Sequence, residues 1–81
     1  MATVFIPAMW RDEFGGLREV SATGATVGEL VESLAKTYPS IREKLTASVS
    51  IAVDGEVTPL GMLERVEPDS EVHFVPAIRG G

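Results

Sequence analysis

The strongest local pattern in the chain is one amphipathic helix near its centre. Its apolar residues recur at intervals of three and four, the spacing of a single helical face: Val27, Leu30, Val31, Leu34, Ala35 and Tyr38. Thr26 and Glu29 have the spacing of a capping box, which predicts where the helix begins. Pro39 predicts its end, because the residue before a proline is held out of helical geometry. One long helix must bury its apolar face against something other than another long helix.

The other apolar residues form short runs that are typical of β-strands. Strands are predicted over residues 3–7, 17–22, 49–53, 56–58 and 71–75, and a short second helical turn over 40–45. Gly15-Gly16 indicates a turn between the first two strands, and Asp54-Gly55 is a strong tight-turn signal. Four to five strands and one main helix predict an α+β fold, in which the helix packs on one face of a mixed sheet.

The length of 81 residues predicts a single domain over 1–81, with residues 77–81 beyond Pro76 as a flexible C-terminal tail. The composition, 44% apolar and 23% charged, is that of an ordinary folded protein. No apolar run approaches the roughly 20 residues that cross a bilayer, and the N-terminus lacks a signal-peptide pattern. With no cysteine in the chain, a cytoplasmic protein with no membrane partner is the expectation.

Composition also limits the chemistry that the chain can perform. The absence of cysteine and the presence of one histidine, His73, leave no Cys–His pair and no ordinary zinc site. A net charge of −5 argues against a nucleic-acid partner. The glycines do not form a phosphate-binding loop. We therefore expect no catalytic residue, no metal and no bound cofactor.

Large apolar residues outside the predicted helix leave two interpretations open. Met9, Trp10 and Phe14 either cover an edge of the core or form a contact patch. If Val4 and Ile6 face the helix, the alternation of a strand places Phe5 with His73 and Val75 on the opposite face of the sheet. Phe5, His73 and Val75 are therefore predicted to form a docking patch for a partner protein. A further group of apolar residues is spaced for packing: Leu60, Met62, Leu63 and Val66.

The last residues, "VPAIRGG", form the most unusual segment of the chain. Five extended residues after Pro76 reach roughly 15 Å, so the terminal carboxylate can enter a cleft away from the domain. Gly80 and Gly81 lack side chains and make this end as thin as a polypeptide can be. Activation of a carboxylate needs groups that this chain does not contain, so any chemistry on the tail has to be performed by another protein.

Several stretches carry a resemblance to a known family: "VFIPAMWR" at the start, Gly15-Gly16, "VSATGATVGELVESL" into the helix and "VPAIRGG" at the end. Together with the order of the elements, they resemble the ubiquitin-like sulfur carriers of the MoaD/ThiS family, and within it the CysO-like branch. The resemblance covers all 81 residues. It implies a β-grasp, ubiquitin-like fold.

The resemblance also implies a function. In such carriers a ubiquitin-activating-like adenylyltransferase uses ATP to adenylate the C-terminal carboxylate, here that of Gly81, and a sulfurtransferase step converts it to a thiocarboxylate. The sulfur then passes to a biosynthetic enzyme that makes cysteine, molybdopterin, the thiazole of thiamine or another sulfur-containing metabolite. Gly80, Arg79 and Ile78 would be the tail residues that these partners recognise. The chain would thus be a carrier and a substrate, not an enzyme.

Two other functions remain open at the level of the sequence. A protein modifier would attach Gly81 to lysines through an isopeptide bond, and Arg79, where most sulfur carriers of this kind have a small residue, favours it. A plain binding module would carry the tail without using it.

Overall fold

The computed structural model describes residues 1–45 and 49–76. Its strands are β1 (Ala2–Phe5), β2 (Glu19–Ala22), β3 (Val49–Val53), β4 (Glu56–Val57) and β5 (Glu71–Pro76). Its helices are α1 (Val27–Ala35) and the short α2 (Ile41–Lys44), with 3-10 helices at Ala8–Phe14 and Gly61–Leu63. Each predicted strand is present, and no bound differs from its predicted position by more than two residues.

The five strands form one mixed sheet in the order β2-β1-β5-β3-β4. β1 runs parallel to β5, and the other neighbouring pairs are antiparallel. The first and last strands of the chain are therefore neighbours in the middle of the sheet. The prediction of an α+β fold with a mixed sheet and one main helix on one face is confirmed.

The start of α1 follows the predicted capping box. The Thr26 hydroxyl accepts a hydrogen bond from the Glu29 amide at 3.2 Å. The Glu29 carboxylate in turn accepts from the amide of Ala25, one residue before the cap, at 3.0 Å. The first bond satisfies an amide that the first helical turn leaves without an intrahelical partner, and the second connects Glu29 to the residue before the cap. The regular helix ends at Ala35, and Tyr38 closes a further turn through its amide to the Leu34 carbonyl.

The core lies between α1 and one face of the sheet. Alternate residues of β1 and β5, such as Val4 and Val72, are fully buried there against the apolar face of α1. The segment predicted as a loop between β1 and β2 contains the 3-10 helix Ala8–Phe14, which carries Trp10 and Phe14 into the core. The core-covering interpretation is therefore correct for these two residues, whereas Met9 is exposed.

A polar network joins the β3–β4 hairpin to the start of β5. Asp54 and Gly55 both have positive φ, 52° and 86°, as the tight turn requires. The Asp54 carboxylate accepts hydrogen bonds from the buried Ser70 hydroxyl at 3.1 Å and from the Glu71 amide at 2.9 Å. This contact fixes the beginning of β5 and hence the position of every later residue in that strand.

The packing predicted for residues 60–66 is mostly wrong. Val66 is buried, but Leu60, Met62 and Leu63 are exposed. The reason is that this segment forms only one 3-10 turn beside α1, which is too short to turn all its apolar side chains to one side.

Candidate functional site

The candidate site is the part of β5 that leads into the tail, together with the sheet face around it. β5 ends at Pro76, which pairs with Val49 at the start of β3. A proline suits this end of a strand because it cannot donate a further ladder hydrogen bond. The predicted tail residues Ile78, Arg79, Gly80 and Gly81 lie outside the described residues.

Two residues of the predicted docking patch are in direct contact. Phe5 and His73 are register partners on the parallel strands β1 and β5. Their rings stack with centroids 4.2 Å apart and planes 3° from parallel. Both side chains are half-buried, so each ring covers part of the other and leaves part accessible. Val75, two residues further along the same face of β5, is 50% exposed.

The neighbours of these side chains on β3 are small. Ala52 is the register partner of His73, and Ser50 is the partner of Val75. Ala52 is buried but lies outside the helix-side core cluster, and its register partners on the two adjoining strands are His73 and Val57. We call Phe5, His73 and Val75 the sheet-face patch.

A surface pocket of about 500 Å³ adjoins the sheet-face patch. Its lining includes Phe5 and His73 together with Arg11, Arg18 and Glu19. We call it the basic pocket, since two arginines and one carboxylate line it. Sequence reasoning missed both arginines as site residues, because the 3-10 helix that places Arg11 has no periodic signal and Arg18 lies in a predicted strand.

A larger depression of about 770 Å³ lies on the other side of the molecule, between α1 and the second 3-10 helix. The exposed side chains of Met62 and Leu63 form part of its wall. No residue of β5 lines it. It is therefore separate from the strand that leads into the tail.

Within residues 1–45 and 49–76, no group of three His, Asp or Glu side chains is placed to hold a metal ion. In the same part of the chain, no helix has the length and apolarity needed to span a membrane.

Comparison with known proteins agrees with this description. The model of the ThiS family matches residues 4–81. The sulfur carrier protein CysO of Mycobacterium tuberculosis (strain H37Rv) is 32% identical over 90 aligned positions, which cover 98% of this chain and 97% of that protein. CysO of Mycobacterium bovis has the same identity and coverage.

Solved structures give the same result for the fold. A chain of the Amycolatopsis orientalis BexX/CysO complex superposes with a TM-score of 0.87, at 25% identity and with full coverage of both chains. Mycobacterium tuberculosis CysO has a TM-score of 0.86 at 29% identity, covering 96% of this chain and 100% of that one. The archaeal modifier SAMP1 of Methanosarcina acetivorans shares the fold, with a TM-score of 0.80 at 19% identity and coverage of 99% and 95%.

The chain belongs to the ThiS family and is similar to CysO-like sulfur carriers. The fold is accordingly the β-grasp of these ubiquitin-like proteins, as the resemblance implied. The curated relatives are sulfur carrier proteins rather than catalysts.

Proposed function

We propose that this protein carries sulfur as a thiocarboxylate at Gly81 and donates it to a biosynthetic enzyme. The observation that carries the proposal is the family match, which continues through residue 81 and so includes the terminal Gly80-Gly81 pair. Gly80 would let the chain end enter a narrow active site, and Gly81 would provide the reacting carboxylate. Ile78 and Arg79 would contact the wall of that site.

The chemistry needs two displacement steps on the Gly81 carboxyl group. In the first, a carboxylate oxygen attacks the α-phosphorus of ATP, a bond to phosphorus forms and pyrophosphate leaves. In the second, hydrosulfide attacks the carbonyl carbon, the bond to AMP breaks and a proton is released to solvent. Neither step changes an oxidation state. The adenylyltransferase supplies ATP and the electrostatic stabilisation, so the carrier needs no cofactor of its own.

The sheet-face patch is the proposed docking surface for these partners. Its stacked rings and the half-exposed Val75 offer apolar area next to the strand that becomes the tail. Aromatic groups are enriched where protein interfaces are most buried. Docking on this face would hold the body while the tail reaches about 15 Å further into the active site.

Intact-mass measurement tests the proposal. The chain is incubated with the adenylyltransferase of its source organism, ATP and sulfide, and a matched chain lacking Gly81 serves as the control. We expect a gain of about 16 Da, the exchange of one oxygen for sulfur, in the full chain alone. No gain in the full chain would contradict the proposal.

The deletion has a second use, because it separates function from stability. Loss of Gly81 should leave the melting temperature almost unchanged, since a terminal glycine contributes little packing. A clear fall in the melting temperature would mean that the tail is structural.

The modifier is the second candidate function, favoured by Arg79. It predicts covalent adducts of the chain on lysines of other proteins in extracts of the source organism, detected as a Gly-Gly remnant on lysine after cleavage at Arg79. Thiocarboxylate formation without such adducts supports the carrier alone. If neither the thiocarboxylate nor the lysine adducts form, the result supports a plain binding module.

A further inference from the structure

We propose that the basic pocket receives an aspartate or glutamate side chain of the adenylating enzyme, and that Arg11 and Arg18 thereby select this enzyme. The inference rests on the proposed function, because it concerns the enzyme that activates Gly81. It adds a charged contact to the apolar sheet-face patch.

The two arginines are held in place through one buried residue, Ile6. Nε of Arg11 donates a hydrogen bond to the Ile6 carbonyl at 3.2 Å. The Ile6 amide donates to the Arg18 carbonyl at 2.8 Å. Ile6 itself is fully buried in the core. Arg11 is therefore held at the pocket through its side chain, and Arg18 through its main chain, so both positions are set by the fold.

The charge of the pocket differs from that of the whole chain. The protein has a net charge of −5, yet Arg11 and Arg18 line one pocket, and Glu19 is the only acidic residue among the described residues of its lining. The ion pairs found within residues 1–45 and 49–76 are Arg42–Glu32 and Lys44–Glu13, and neither includes Arg11 or Arg18. Guanidinium groups without a carboxylate partner match a carboxylate in geometry and in charge.

The position of the pocket indicates which partner it serves. Phe5 and His73 belong both to the pocket and to the sheet-face patch, so one docked protein would cover both. His73 precedes Pro76 by three strand residues, which is about 10 Å along β5. A protein that holds the tail is therefore close enough to place a side chain in the pocket.

The last two residues of the tail offer little basis for selection, because glycines present only main-chain atoms. Contacts to the folded body would therefore add to the recognition proposed for Ile78 and Arg79, because specificity is a difference in affinity between competing partners. The adenylating enzyme is the first to bind the unmodified tail. An acidic residue opposite Arg11 and Arg18 would give this enzyme a higher affinity for the correct carrier than for competing proteins.

Charge reversal of one arginine tests the inference. Arg18→Glu is the primary variant because the Arg18 side chain is exposed. The substitution also retains the hydrogen bond that the main-chain carbonyl of residue 18 accepts from the Ile6 amide. Arg65→Glu is the matched control: it makes the same charge change at an exposed position outside the pocket, beside the start of α1. Arg18→Gln is a milder variant, and thermal melts confirm that each variant folds.

The readout is the KM of the adenylyltransferase for the carrier, measured by pyrophosphate release. We expect Arg18→Glu to raise KM about tenfold or more with little change in kcat, Arg18→Gln about threefold, and Arg65→Glu less than about twofold. The KM of the wild-type chain should rise with salt, and Arg18→Glu should weaken this dependence. An acid-to-lysine change on the enzyme that restores binding of Arg18→Glu would identify the carboxylate.

Three results would overturn the inference. Equal KM values for Arg18→Glu and Arg65→Glu would show that only the overall charge matters. Displacement of the Arg11 and Arg18 side-chain NMR signals by millimolar inorganic phosphate, with phosphate competing against the enzyme, would make the pocket a phosphate site. A wild-type chain that is not adenylated would overturn the proposed function itself, and the inference with it, so the two failures are distinguishable.

Discussion

The two faces of the sheet are built from alternate residues of the same strands, but they differ in burial. On the side of α1, Val4 and Val72 are fully buried. On the other side, their sequence neighbours Phe5 and His73 keep part of each ring accessible. The face toward α1 provides most of the buried apolar area that drives folding, and the opposite face keeps apolar groups accessible, as the proposed docking to a partner requires.

The first prediction concerns the helix side and has the largest expected effect. Leu30→Ala, at a fully buried position of α1, should lower the free energy of unfolding by about 3 kcal/mol. Domains of this size have only about 5 kcal/mol or somewhat more in total. Leu63→Ala is the matched control, since Leu63 is 77% exposed; its cost should stay below about 0.5 kcal/mol. Urea denaturation measures both, and similar costs would refute the division between core and surface.

A second prediction tests how closely the chain packs at the start of α1. A Cβ added to Gly24 would lie 2.7 Å from the Glu29 Cβ and 2.9 Å from main-chain atoms of Glu29 and Leu30. Gly24→Ala should therefore cost about 2 kcal/mol, because backbone has to move. Gly15→Ala is the comparison, as it meets no atom within 4 Å but has a φ of 68°. Its strain should cost about 1 kcal/mol in the same urea denaturation measurement. A smaller loss of unfolding free energy at Gly24 than at Gly15 would mean that the backbone before α1 rearranges with little loss of stability.

The third prediction moves to the opposite face. Val75→Asp places a charge at a half-exposed position of the sheet-face patch and should raise the KM for adenylation about tenfold, a loss of roughly 1.4 kcal/mol in binding. The melting temperature should change little. Val57→Asp is the control on the edge strand β4, where Val57 is 67% exposed. A stability loss without a change in KM would show that Val75 serves the fold, contrary to the comparison of the two faces.

The smallest effect concerns the ring stack within the patch. A double-mutant cycle of Phe5→Ala and His73→Ala should give a coupling of about 0.5 to 1 kcal/mol in the free energy of unfolding. The register partners Thr3 and Glu71 on the same two strands provide the control cycle. Their coupling should be near zero, since neither side chain has an aromatic face. Equal couplings would assign the effect to strand pairing rather than to the rings.

The sequence predicted those features that depend on neighbouring residues. The stripe of α1 and the Thr26 cap were correct because a helical face and its first turn are formed within a few residues. The Asp54-Gly55 turn was correct because its positive φ values favour these two residue types. The alternation of β1 also placed Phe5 and Val4 correctly on opposite faces of the sheet, since successive side chains of a strand point to opposite faces.

Features that depend on contacts between distant parts of the chain were harder to predict from the sequence. Glu32 has Lys36 four residues further along α1, a spacing at which helical ion pairs commonly form, whereas the structure pairs Glu32 with Arg42 of α2 at 2.5 Å. Both side chains of the observed pair are largely exposed, so the choice of partner involves little free energy. The exposure of Met62 and Leu63 was likewise missed, because their apolar character alone does not show where the second 3-10 turn lies.

The sequence by itself determined the strands, the main helix, the apolar face of that helix, and the diglycine pair that marks the family. Only the tertiary structure decided that β1 lies beside β5, which stacks Phe5 on His73, and that Arg11 and Arg18 meet at the same pocket. The physical reason is the separation along the sequence of the residues that interact. Periodicity follows from the geometry of one helix or strand, whereas the neighbour of a strand is chosen by the burial of the entire core.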